Sequence, residues 1–110
     1  MKFKAYTVNY QHRGKLPLHQ KSQWVVSEWE ELRLFTLANI NNWQCKKQNL
    51  WSVHEQFNVL GRDQKGDLHI AKYWANQDVW HGYPVSSKRS GDRPPSLKIR
   101  ETEPKRSDDF

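Results

Sequence analysis

The sequence contains a single cysteine, Cys45, and no long run of apolar residues. A lone cysteine excludes an intramolecular disulfide, so a packed core must hold the fold together. The first residues lack the apolar stretch of a signal peptide, and no segment has the roughly 20 apolar residues that a membrane-spanning helix needs. We therefore expect a cytoplasmic protein, in a reducing compartment, that makes no contact with a membrane.

Apolar residues are also scarce, at 35% of the 110 residues. Six tryptophans compensate for this scarcity, because each of them can bury a large apolar area. The length suits one domain. After Val85 the composition changes to Ser, Lys, Arg, Asp and Pro. The change predicts a compact domain over residues 1–86 and a basic, polyampholytic, flexible tail over residues 87–110.

Acidic residues are absent from residues 1–26, and the whole chain has a net charge of +6. Basic ends around an aromatic middle suit a polyanionic partner. We favour RNA, because unpaired bases can stack on aromatic side chains while cations hold the phosphates. An acidic protein is the other partner that fits this charge. The sequence does not indicate an oligomeric state.

Several motifs of known chemistry are missing. The sequence has no Cys-x2-Cys or His-x3-His pair, no glycine-rich phosphate loop and no serine nucleophile motif. Its Asp and Glu residues form no pair of inward carboxylates at helical spacing outside the first turn of the predicted helix, so glycosidase and two-metal chemistry are unsupported. We therefore expect neither a metal ion nor a cofactor.

The first half of the chain predicts one strand and two helices. Residues 2–10 alternate apolar and polar side chains, as a half-buried strand does. Ser27 and Glu30 have capping-box spacing, so a helix should begin at Ser27, and its asparagines predict a break near Asn42. Trp29, Leu32, Ile40 and Trp43 recur at near-helical spacing, and Leu34, Phe35, Leu37 and Ala38 widen the apolar arc, so most of this helix should be covered by protein. A second, shorter helix is predicted where Leu50, Val53, His54 and Phe57 repeat three and four residues apart.

The second half predicts antiparallel strands. Residues 58–62 read as a strand that leads into a turn at residues 63–66, and residues 68–74 and 79–85 read as two further strands joined by residues 75–78, so a three-stranded meander is expected. Pro84 requires an edge or a bulge, so the last strand should end or bend there. The fold class is α+β: a small single domain with an N-terminal strand, two helices, an antiparallel β-meander and a mobile C-terminal tail.

The predicted hairpin carries the chemistry-bearing residues. A symmetric four-residue turn would place Lys72 opposite His81, Tyr73 opposite Trp80 and Ile70 opposite Tyr83. This register depends on the turn, because a slip of one residue would send one strand's side chains to the other face.

A histidine beside a lysine is what a metal-independent ribonuclease would use. The imidazole moves the proton of the 2′-hydroxyl, and the cation stabilises charge on the phosphorane. The catalytic candidates are His81 and Lys72, with His69 as a further candidate that could instead be a half-buried structural histidine. The candidates for nucleic-acid contact are Tyr73, Trp80, Tyr83, Lys88, Arg89 and Arg93.

The sequence therefore indicates a small basic nucleic-acid-binding protein and leaves open whether it is catalytic. The order of its elements resembles, in outline, that of compact RNA-cleaving toxin modules of bacteria, although no motif of a particular family accompanies this likeness. The alternative function is non-catalytic: an inhibitor or adaptor that presents Trp80, Tyr83 and Arg89 to an acidic protein surface.

Overall fold

The structure is a computed structural model that describes residues 4–44, 49–56 and 58–86. Among these residues there is one α-helix, α1 (Glu28–Ile40), which packs against a four-stranded sheet, and a smaller three-stranded sheet lies beside that sheet. The α+β class is therefore as expected. Within the described ranges, no helix has the length and apolar character needed to cross a bilayer. The predicted tail over residues 87–110 lies outside the described residues.

The two sheets are built mainly from antiparallel pairs. The larger sheet has the order β1-β7-β6-β3, and only its β1–β7 pair is parallel. The smaller sheet has the order β2-β4-β5. The strands are β1 (Ala5–Tyr6), β2 (Gln23–Trp24), β3 (Leu50–Val53), β4 (Gly61–Asp63), β5 (Gly66–Leu68), β6 (Ile70–Asn76) and β7 (Val79–Val85).

The expectation of a second helix is wrong, because Leu50–Val53 forms strand β3 between α1 and β6. Leu50 belongs to the core cluster beneath α1, whereas Trp51 belongs to a second cluster with Ile70. A strand that is covered on both faces has apolar residues at successive positions, and a short run of this kind does not distinguish a strand from a helix. The N-terminal strand is also shorter than predicted, and a 3₁₀ helix follows it at Tyr10–His12.

Helix α1 begins and ends where the sequence predicts. The Ser27 hydroxyl oxygen accepts a hydrogen bond of 3.1 Å from the Glu30 amide, as an N-cap does. After Ile40 the chain leaves the helix, and Asn42 adopts a left-handed conformation with φ of 51°. Asparagine tolerates this conformation better than most residues, which explains the break.

Less of the helix is covered by protein than predicted. Trp29 is 71% exposed, and Leu32 and Ile40 are exposed as well, so the expectation that these three residues are covered is wrong. Leu34, Phe35 and Ala38 of the predicted arc are buried, together with Glu31, and these four residues are spaced three and four residues apart. The core stripe of the helix therefore contains a carboxylate.

Glu31 is fully buried and has polar partners from two other segments. Its Oε1 accepts hydrogen bonds from Arg13 Nε at 3.0 Å and Arg13 Nη2 at 2.7 Å, and its Oε2 accepts one from the Tyr6 hydroxyl. Burial raises the pKa of Glu31, and these hydrogen bonds oppose that effect. The Arg13 Nη1 also donates to the Val26 carbonyl oxygen at 2.9 Å. This group joins β1, the loop after the 3₁₀ helix and α1.

The β6–β7 hairpin turns through two residues, and the predicted register is therefore wrong. Gln77 and Asp78 have φ of 52° and 67°, as a type I′ turn requires, and Asn76 pairs with Val79. The observed pairs are Trp74 with His81, Lys72 with Tyr83, Tyr73 with Gly82 and Ile70 with Val85. Each residue of β6 thus faces a residue two positions further along β7 than predicted. Because the shift is even, every side chain stays on its predicted face.

Pro84 lies at an edge, as its residue type requires, although β7 continues to Val85. The short strand β1 pairs only with Val79 and Trp80, so it does not cover β7 at Pro84. The Pro84 carbonyl oxygen accepts a hydrogen bond of 2.7 Å from the Ser22 hydroxyl. The proline therefore removes no hydrogen bond between β6 and β7.

Replacing Glu31 with alanine should destabilise the protein by about 3–5 kcal/mol, because Arg13 and Tyr6 would keep buried polar groups without their partner. Urea denaturation measures this change. The matched control is Glu28→Ala, because Glu28 is exposed in the same helical turn and accepts a hydrogen bond from Tyr10 at the surface. We expect the control to cost less than about 1 kcal/mol. Equal losses for the two variants would contradict the role given to Glu31.

The two-residue turn can be tested by comparing Asp78→Gly with Asp78→Ala. Both variants remove the carboxylate, but only alanine keeps a Cβ at the positive φ of this position. We expect the glycine variant to be the more stable of the two by about 1 kcal/mol, as measured by thermal unfolding. An alanine variant as stable as the glycine variant would contradict the type I′ turn and the register that it sets.

Candidate nucleic-acid interface

Four side chains of the β6–β7 hairpin lie on the side of the sheet that faces away from α1. Lys72 and Trp74 alternate along β6, and they pair with Tyr83 and His81 of β7. All four are half-buried, whereas Trp51, Ile70 and Val85 form a buried cluster at the neighbouring end of the same side. We call Lys72, Trp74, His81 and Tyr83 the outer face. It is a patch of two aromatic rings, an imidazole and an ammonium group.

Trp74 and His81 form one half of the outer face. Their ring centroids are 5.2 Å apart, with planes inclined by 42°. His81 Nδ1 lies 3.1 Å from the Thr7 carbonyl oxygen, which can only accept, so Nδ1 carries the proton and donates it. In the neutral ring, Nε2 is then the hydrogen-bond acceptor. The backbone after β1 thus fixes both the orientation and the tautomer of His81.

Lys72 and Tyr83 form the other half. The Lys72 ammonium nitrogen lies 5.3 Å from the centroid of the Trp51 ring, at a distance typical of a cation–π contact. Trp51 is only 2% exposed, so the lysine covers its ring. Lys72 and His81 lie on the same face as diagonal neighbours, not opposite each other as predicted. Diagonal pairs in a sheet are within reach of long side chains.

Tyr83 connects the outer face to His12 of the 3₁₀ helix. The two rings are stacked, with centroids 5.0 Å apart and planes inclined by 19°. His12 is only 6% exposed, and its Nδ1 donates to the Ser22 carbonyl oxygen at 2.8 Å. Burial is the main cause that lowers the pKa of His12, and the charge of Lys21 adds to it. His12 is therefore neutral at pH 7.

A cleft of about 650 Å³ opens beside this stacked pair. It is bordered by the loop that precedes β2, by the β4–β5 turn and by the end of β7. The Asp63 carboxylate in this cleft accepts hydrogen bonds from the amides of Lys65 and Gly66, so it shapes the turn. The aromatic, imidazole and ammonium side chains that line the cleft are Trp74, Tyr83, His12, His19, Lys21 and Lys65.

The remaining predicted site residues lie elsewhere. Tyr73 is fully buried under α1, where its hydroxyl lies 2.9 Å from the Ser52 hydroxyl oxygen, and Trp80 is 9% exposed in the same core. Neither ring is accessible for base stacking in this structure. His69 lies between β5 and β6, and its buried Nδ1 has no hydrogen-bond partner among the described residues. Lys88, Arg89 and Arg93 lie outside the described residues.

A cluster of Glu30, His54 and Glu55 has potential metal ligands within 4.8 Å of one another. Arg33 donates to both carboxylates, at 2.9 Å to Glu30 Oε2 and 2.6 Å to Glu55 Oε2. These hydrogen bonds lower the pKa of Glu30, and they lower that of Glu55 to about 2. His54 Nδ1 accepts from the Gln56 amide, so the neutral ring carries its proton on Nε2, towards the carboxylates. This is an ion-pair cluster that joins α1 to the segment after β3.

The residues of the outer face and the cleft that were not predicted as site residues are Trp74, His12, His19, Lys21 and Lys65. Trp74 follows Lys72 at the two-residue spacing of one strand face, so the alternation in β6 could have indicated it. For His12 no sequence signal was available, because its contact with Tyr83 joins residues far apart in the chain.

No protein-family model, curated protein or solved structure matches this chain.

Proposed function

We propose that this protein binds single-stranded nucleic acid, with RNA as the favoured partner, along the outer face and the adjoining cleft. The observation that carries the proposal is the pair of half-buried rings, Trp74 and Tyr83, on one sheet face. Aromatic rings on a sheet can stack on unpaired bases, and each stacked base contributes about 1–3 kcal/mol. Duplex bases are already stacked on one another, so this surface suits a single strand.

Lysines near the rings support the proposal. Lys72 belongs to the outer face, and Lys21 and Lys65 line the cleft. Three lysines that neutralise three phosphates predict a slope of about −2 when the logarithm of the binding constant is plotted against that of the salt concentration. Lys88, Arg89 and Arg93 would steepen this slope if they also bind phosphates.

RNA cleavage by His81 and Lys72 stays a prediction. Their diagonal placement puts an imidazole with an accepting Nε2 and an ammonium group on the same face. An imidazole that accepts the 2′-hydroxyl proton and a cation near the phosphate are the two groups that metal-independent cleavage needs.

The second candidate function is a non-catalytic interaction with another protein. It is favoured by Trp29, Leu32 and Ile40, which are exposed on the side of α1 that faces away from the sheet. Exposed apolar residues that lie together are common in protein interfaces, where tryptophan contributes strongly to affinity. Binding through this face would depend less on salt than binding through the lysines.

Replacing Trp74 with alanine should weaken binding of a fluorescein-labelled single-stranded RNA of 12 nucleotides by 5- to 150-fold, because one stacked base is worth about 1–3 kcal/mol. Fluorescence polarisation measures the dissociation constant, and circular dichroism verifies that each variant is folded. The matched control is Trp29→Ala, which removes the same side chain from the far side of α1 and should leave affinity unchanged.

The same assay separates the two candidate functions. Equal affinities of the Trp74→Ala variant and the wild type, or a loss confined to Trp29→Ala, would contradict nucleic-acid binding at the outer face. The double variant Lys21→Ala, Lys65→Ala should reduce the magnitude of the salt slope by about 1.4. An unchanged slope would remove the cleft from the binding site.

A further inference from the structure

His12 has one ring nitrogen engaged and the other available. Nδ1 donates to the Ser22 carbonyl oxygen at 2.8 Å and also lies 3.3 Å from the Ser22 hydroxyl oxygen. No described residue hydrogen-bonds to Nε2, and this atom is not among the buried polar atoms that lack a partner. His12 is one of the residues that line the cleft. We therefore take Nε2, which has a free electron pair in the neutral ring, as the atom that a ligand in the cleft meets. This is the form of histidine that accepts a proton.

The groups around His12 suit a ribose phosphate. Tyr83 stacks on one face of the imidazole and extends the aromatic surface towards Trp74. Lys21 and Lys65 supply positive charge for a phosphate, and His19 supplies a second imidazole in the same cleft. Asp63 has the one carboxylate among the described residues that line the cleft, and the amides of its own turn donate to it. A proton acceptor (His12), two lysines and a second imidazole thus border one space of about 650 Å³.

We infer that the cleft cleaves RNA and that His12 is the general base of the reaction. The inference rests on the proposed binding of RNA. The 2′-hydroxyl gives its proton to His12 Nε2, and the 2′-oxygen forms a bond to the adjacent phosphorus. The bond from phosphorus to the 5′-oxygen breaks, and the departing oxygen takes a proton from the imidazolium form of His19. The products are a 2′,3′-cyclic phosphate and a 5′-hydroxyl, and Lys21 and Lys65 stabilise the charge on the phosphorane.

His81 is the natural competitor for the role of base. It shares with His12 an Nδ1 that donates to a main-chain carbonyl, so both rings offer Nε2 as an acceptor. His12 differs in being enclosed, at 6% exposure, and in lining the cleft with Lys21, Lys65 and His19. His81 is not among the described residues that line this cleft. A proton acceptor is more effective where neighbouring cations also hold the phosphate, and this favours His12.

The test compares His12→Asn, His81→Asn and His54→Asn with the wild type, using an RNA of 12 nucleotides in a buffer that contains EDTA. Asparagine can still donate a hydrogen bond to the Ser22 carbonyl oxygen, but its amide cannot act as a general base. The 2′-deoxy form of the same oligonucleotide reports binding, because it lacks the attacking hydroxyl. Cleavage is followed by gel electrophoresis, and the cyclic phosphate end is identified by mass spectrometry.

We expect His12→Asn to slow cleavage by a factor of 10² to 10⁴, as removal of a general base does, while affinity for the deoxy oligonucleotide stays within twofold. His54→Asn, which alters a histidine outside the cleft, should cleave at the wild-type rate.

Wild-type protein that binds the deoxy oligonucleotide without cleaving the RNA would overturn this inference and leave the binding proposal intact. A rate loss in His81→Asn but not in His12→Asn would also overturn it. Failure to bind either oligonucleotide would overturn the proposed function itself.

Discussion

The two-residue turn at Gln77 and Asp78 determines which side chains meet on the outer face. Because both residues adopt positive φ, β6 and β7 pair up to Asn76 and Val79, and Trp74 then lies opposite His81. A slip of one residue would send Trp74 and Lys72 to the helix side of the sheet and place Tyr73 outside. The composition of the candidate interface therefore depends on the conformation of two residues that are not part of it.

The core between α1 and the larger sheet depends on a different interaction, that of a buried carboxylate with its hydrogen-bond donors. Glu31 occupies a position of the core stripe, and it is tolerated there because Arg13 and Tyr6 satisfy its carboxylate. The same contacts hold the N-terminal segment against the helix, and this segment continues into the 3₁₀ helix that places His12 beside Tyr83. The buried ion pair thus contributes indirectly to the geometry of the cleft.

The sequence was sufficient to predict the elements that depend on interactions between residues close together in the chain. The cap at Ser27, the break near Asn42 and strand Val79–Val85 follow from hydrogen bonding and alternation within a few residues. The register was missed because Gln77-Asp78 lacks the glycine typical of two-residue turns. Strand β3 was mistaken for a helix because it is covered on both faces. The covered part of α1 was overestimated, because apolar residues such as Trp29 continue around the helix onto its exposed side. Of the candidate site, Lys72, His81 and Tyr83 lie on one face as the alternation indicates, whereas the place of His12 follows only from tertiary contacts.

The central claim is that RNA lies on the outer face, and photocrosslinking tests it most directly. A single-stranded RNA that carries 4-thiouridine would be irradiated with the protein, and the crosslinked tryptic peptides would be identified by mass spectrometry. We predict crosslinks in the peptide of residues 73–88, which contains Trp74 and Tyr83. Crosslinks confined to the peptide of residues 22–33, which contains the exposed Trp29 of α1, would contradict the account.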